Sequence, residues 1–140
     1  MHNFEPYQEQ HQEILALMTG LLERLHEPME INDSMEVLRN LGILAEKIRL
    51  HLAQEDNLLY PYFFRHPNTE VRETAQRYMA SMGNLNQTFQ EYLHRWNVPE
   101  KISHGPQDFI QETKLVFEVM AKRMLSEEAE LYPLTRRANG

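Results

Sequence analysis

Few residues in this chain combine a reactive type with a useful spacing. His51 and Glu55 stand four apart, so on a helix they share one face. Both fall on an apolar stripe, Leu38, Leu41, Leu44, Ile48, Leu52 and Leu59, and should point into a core. His11 lies on a second stripe with Tyr7, Ile14, Leu15 and Met18, and Glu127 on a third with Val116, Met120, Met124 and Leu131. A carboxylate in a core is costly unless it is paired or bound to a cation. Helical bundles build metal sites by sending inward His and Glu side chains from several helices to one level. Nitrogen and oxygen donors of this kind suit iron, manganese or zinc better than copper(I). The chain has no cysteine, so disulfides and thiolate sites are excluded.

An internal repeat ties two of these stripes together. His51-Leu-Ala-Gln-Glu55-Asp56 runs on to Leu59-Tyr60-Pro61, and Arg123-Met-Leu-Ser-Glu127-Glu128 runs on to Leu131-Tyr132-Pro133. In each copy an acid lies six residues before the proline, a second acid follows it, and Leu-Tyr-Pro closes the motif. The two segments read as halves of a duplicated helix pair. They differ where His51 is matched by Arg123. A guanidinium is always charged and grips carboxylates through two parallel bonds, so an inward Arg123 could give Glu55 and Glu127 a cationic partner. Equally, its stem could cover apolar surface while its head reaches water.

Each feature also has a plainer explanation. A lone core histidine can satisfy itself on a backbone carbonyl, and Glu55 and Glu127 could pair with Arg123 or lysines. The conjunction of inward polar residues on three helices, rather than any one of them, points to a cation. His2, His26, His66, His94 and His104 lie at termini or breaks and are expected at the surface. The eight methionines read as adaptable core filling rather than a copper site. Tyr78, Phe89, Tyr92 and Trp96 are most simply core, with a small ligand pocket as the alternative.

The elements that must position these residues are helices. Apolar residues recur at three and four, strict alternation is absent, and glycine is scarce. Four amphipathic helices are expected near residues 5–28, 33–60, 68–97 and 106–132. Pro6 and Pro106 suit first turns, Pro28 stops the first helix, and Asp33 or Ser34 can cap the second. Pro61 should kink or end the second helix at Tyr60. Asn68 should cap the third, and residues 97–105 read as a loop. The connections are short, so the expected fold is an all-α, up-down-up-down antiparallel four-helix bundle, one domain over residues 1–140. Separate coiled-coil arms fit the short connections and wide apolar faces less well.

The net charge of −7, from 21 acidic and 14 basic residues, argues against a nucleic-acid partner. No apolar run reaches membrane-spanning length, and residues 1–13 lack the pattern of a signal peptide, so a cytoplasmic location is expected. No nucleophile triad, phosphate-cradling loop or nucleotide fingerprint is present, and the chain is expected not to be an enzyme.

His11, then His51-x-x-x-Glu55 with its Leu-Tyr-Pro, then Glu127 with its own, resembles the hemerythrin-like (HHE cation-binding) family over nearly the whole chain. The resemblance implies a four-helix bundle that holds non-haem iron and binds or senses oxygen, nitric oxide or redox state. Carried over by position, His11 and His51 look like terminal ligands of one metal, and Glu55 and Glu127 like bridging carboxylates. The family's third-helix histidines have no counterpart, since residues 67–93 contain no histidine, and its fourth-helix histidine is replaced by Arg123. The inward third-helix pairs are Tyr78 with Met82 and Leu85 with Phe89, which are unfit for iron. The resemblance therefore implies an incomplete site, with one iron rather than two, another divalent cation or none, and with a small gaseous ligand or a protein as partner. The alternative is a metal-free bundle that acts by interaction or small-ligand binding.

Overall fold

The computed structural model describes residues 3–140, and no strand occurs among them. Four helical arms run up-down-up-down. The first is α1 (Glu5–Leu22); the second is α2 (Ile31–Gln54), a π-helical turn (Glu55–Leu59) and α3 (Tyr60–Phe64). The third is α4 (Thr69–Met82) with α5 (Leu85–Arg95), and the short α6 (Pro99–His104) follows it. The fourth is α7 (Pro106–Ser126), a second π-helical turn (Glu127–Leu131) and α8 (Tyr132–Asn139). α1 packs on α2 and α7, α5 on α7, and α4 on α8, around one cluster of buried side chains.

The expected stripes are the buried faces. Tyr7, Ile14 and Met18 of α1, Leu41, Leu44 and Ile48 of α2, and Phe109, Val116 and Met120 of α7 are all buried. Tyr78, Met82, Leu85 and Phe89 are buried too, so the third arm does present apolar and tyrosyl side chains where histidines were sought. Tyr92 stacks between Phe89 and Phe109, with its hydroxyl on Thr113 at 2.6 Å, which is core packing. Asn68 caps α4 as expected, its Oδ1 accepting from the Val71 amide at 3.1 Å.

The breaks differ from expectation in instructive ways. α1 stops at Leu22, well before Pro28, and the chain beyond it buries Met29. α2 starts earlier than Asp33, at Ile31, with no side-chain cap; Asp33 sits in its first turn and Ser34 is buried. Pro61 does not end the second arm. The wider π turn before it absorbs the missing donor, and the helix resumes through Phe64. Pro133 is housed in the same way, and the fourth arm runs on to Asn139 instead of stopping near 132. The third arm is broken at Gly83 and Asn84. Residues 97–105, expected as loop, contain α6, which starts on Pro99 and buries Ile102 as it packs against α2.

His66 corrects a further expectation. It is buried rather than exposed: its Nδ1 accepts from the Asn68 amide at 3.0 Å, so Nε2–H donates to Asn139 Oδ1 at 2.6 Å. It pins the end of α8 to the turn before α4. His26, His94 and His104 are exposed as expected, and His2 lies outside the described residues.

Candidate metal centre

All four expected donors meet in the core. One ligand atom each from His11, His51, Glu55 and Glu127 lies within 4.8 Å of the others, and all four residues are buried. α1 supplies His11, the last turn of α2 supplies His51, and each π turn opens on one of the carboxylates. A π turn is a local insertion that re-aims the side chains around it and is frequent at functional sites.

His11 Nε2 is 3.2 Å from Glu55 Oε2 and 3.1 Å from Glu127 Oε1. His51 Nε2 is 3.1 Å from Glu55 Oε2. Outward, His11 Nδ1–H donates to Glu128 Oε2 at 2.7 Å, and His51 Nδ1–H donates to Gln10 Oε1 at 2.6 Å. These outer acceptors fix the tautomer, so both Nε2 atoms turn their lone pairs toward carboxylate oxygens. Only a cation, a metal ion or a proton, relieves that arrangement. Metal-ligating histidines are held this way as a rule. Gln10 is itself oriented by Gln54 at 2.9 Å, and Glu128 by Gln8 at 3.1 Å.

The donors fit an ion. Nitrogen and oxygen ligands at about 2.0–2.2 Å from one divalent cation stand about 3.0–3.4 Å from each other, as the three His–Glu contacts do, and all four donor atoms lie within 4.8 Å of one another. His51 Nε2 and Glu127 Oε1, both on the histidine side of the cluster, have no hydrogen-bond partner although they are buried. Such orphaned groups call for an explanation, and a bound ion is one.

Arg123 points inward, which settles the choice left open by its sequence. Its side chain is 3% exposed. Nη2 lies 3.3 Å from Glu55 Oε1 and 2.7 Å from Asp56 Oδ1, Nε lies 3.4 Å from Glu127 Oε2, and Nη1 donates to the Met82 carbonyl at 3.4 Å. The guanidinium carbon sits 5.0 Å over the Tyr60 ring, and the Tyr60 hydroxyl donates to Glu127 Oε2 at 2.8 Å.

The charges shift one another strongly. Burial alone would lower the His11 pKa, but hydrogen bonds to Glu127 and Glu55 raise it to about 10. Burial would raise Glu55, yet His11 and His51 pull it well below the usual carboxylate range. Glu127 goes the other way, up to about 8, through burial and then the neighbouring charge of Glu55. Burial pushes the hydroxyls of Tyr60 and Tyr132 far up, so both stay protonated.

Periodicity missed Gln10, Glu128, Asp56 and Tyr60, which hold the inward groups from the side. A signal for three of them was present. The second acid of each repeat copy is the buttress, Asp56 for Arg123 and Glu128 for His11, and Tyr60 belongs to the repeated Leu-Tyr-Pro. Gln10 carries no comparable mark.

A family model for the hemerythrin HHE cation binding domain matches residues 3–135. The chain belongs to that family, and is therefore a cation-binding helical module. No curated protein and no solved structure matches it. Among the described residues no helix is long and apolar enough to cross a membrane.

Proposed function

We propose that this chain binds a single divalent cation, preferably iron, through His11, His51, Glu55 and Glu127, and that it serves to sense or bind a small oxidant such as oxygen or nitric oxide rather than to catalyse a reaction. One observation carries the proposal: two imidazoles, each held from outside at Nδ1, converge on two buried glutamates, His11 Nε2 on one oxygen of each and His51 Nε2 on the same oxygen of Glu55. When bound, iron supplies a Lewis-acidic, one-electron redox centre. The residues around it set its surroundings. Tyr60 holds Glu127 in place, and Glu128 and Gln10 hold the rings. A cavity of about 10 Å³ between Ile14, Ile48, Leu85, Met120 and Met124 reaches His51 and Arg123. That is space for about one water-sized molecule, and its apolar walls suit a diatomic gas better than a charged substrate. We place the module in a reducing, cytoplasmic setting, which suits a cysteine-free chain.

One observation favours a metal-free reading. A doubly protonated His11 can donate from Nε2 to Glu55 and Glu127, and its raised pKa fits that role. The former site would then be a buried ion-pair network, and the bundle would act through a protein partner. Elemental analysis of untagged protein separates the two. One equivalent of iron per chain, lost from His51→Ala and Glu55→Ala, is the expected result. Protein without metal, which takes up no iron(II), manganese(II) or zinc(II) on titration, would support the metal-free reading instead.

A further inference from the structure

Both buried glutamates divide their oxygens between two positions. Glu55 Oε2 and Glu127 Oε1 face the histidine pair, while Glu55 Oε1 and Glu127 Oε2 face Arg123. The carboxylates thus bridge two cation positions, and one of them is already filled by a guanidinium. We infer that Arg123 is a built-in second cation that fixes the capacity of this centre at one metal ion. The inference rests on the single-cation reading above and concerns a different residue.

Three features support it. First, the repeat places Arg123 where the other copy has His51, so a side chain at this position is aimed at the bridging carboxylates by the fold itself. Second, the charge is held on several sides: Asp56 from the neighbouring arm, the Tyr60 ring, and the Met82 carbonyl. The same offset that carries His51 to Arg123 and Glu55 to Glu127 carries His11 to Gly83. The third arm is broken at that point, next to the carbonyl that accepts from Arg123. Third, Glu55 Oε1, Glu127 Oε2 and Asp56 Oδ1 converge on the guanidinium. Without it they would form an all-oxygen set, which suits a hard cation such as manganese(II).

The test is a manganese(II) titration of the metal-free chain, with stoichiometry read by calorimetry and elemental analysis. The parent should saturate at one equivalent even in excess metal. Arg123→Met should bind a second equivalent, at least tenfold more weakly than the first. Arg123→Lys, which keeps the charge, should stay at one equivalent and melt at a lower temperature than the parent. If Arg123→Met is unfolded as prepared, manganese(II) should restore its helical circular dichroism with two ions per chain; failure to do so would overturn the inference. Two equivalents in the parent would overturn it as well, while leaving metal binding intact. A parent that binds none would sink the single-cation reading. In that event Arg123→Met should still gain one equivalent, and if it gains none the inference falls too.

Discussion

At the scale of the residue, the inward donors were legible because each falls on an apolar stripe and cannot be there without a partner. His11, His51, Glu55 and Glu127 were singled out by stripe, repeat and family resemblance, and the structure buries all four together. What spacing could not supply was the outward half of each contact. Gln10 and Glu128 lie on the flanks of their helices, where polar residues are common. Their role appears only when two arms are docked. Losing such an outer acceptor typically lowers metal affinity about 10–100-fold. Glu128→Ala should therefore weaken zinc(II) binding by about that factor while leaving the far-ultraviolet circular dichroism unchanged, as a competition titration against a chelator would show. An unchanged affinity would mean that His11 needs no support from outside.

Arg123 belongs to the same scale. Removing one partner of a buried ion pair typically costs about 3–5 kcal/mol, because the other charge is stranded. Arg123→Ala strands Glu55 and Glu127 in the core, beside half-buried Asp56, so a metal-free chain should lose about that much in a urea melt run above pH 8, where Glu127 is ionised. Arg123→Ala with Glu127→Gln should recover part of the loss, since one stranded charge is neutralised. The coupling energy from the two single variants, the double variant and the parent measures the interaction. A value near zero would contradict the 3.4 Å contact from Nε to Glu127.

At the scale of the element, the four arms were legible and their interruptions were not. Pro61 and Pro133 announced a disturbance, but the choice between kink, end and π turn depends on packing that lets each helix continue past its proline. Gly83 sits within a continuous helical pattern, where a glycine is tolerated, so nothing in that pattern splits the arm. The structure shows why glycine is needed. A Cβ there would lie 2.4 Å from the Met79 carbonyl oxygen and 2.5 Å from its sulfur. Gly83→Ala should destabilise the chain by about 1–3 kcal/mol through this overpacking. It should also loosen Met82 and with it one contact of Arg123. Thermal melts of Gly83→Ala beside Gly42→Ala, a helical glycine with open space around its Cβ position, would check this. Gly42→Ala should be neutral or slightly stabilising.

For the whole molecule, fold class was the easiest inference, because four wide apolar faces joined by short connections leave few alternatives to a bundle. The consequence drawn least easily from sequence is how stability depends on pH, since it needs the buried charges in place. His11 has its pKa raised from 6.5 to about 10, so its contribution is fully present below about pH 6.5 and is lost as pH rises through about 10. Glu127 is raised from 4.5 to about 8, so the folded state holds its proton more tightly and stability falls as pH climbs through that window. Glu55 is lowered, so its contribution is present above 4.5 and is lost as pH falls. Together the three place the optimum of the metal-free chain in mildly acidic solution, with a decline toward alkaline pH. A divalent cation reverses the demand. It needs His11 deprotonated at Nε2, so binding releases protons and strengthens as pH rises. The melting temperature of the metal-free chain should fall between pH 6 and 9, while the gain on adding zinc(II) should widen over the same range. Melts with and without the ion across that range would measure both slopes. A gain independent of pH would mean that the ion does not displace the His11 proton and is held elsewhere on the bundle.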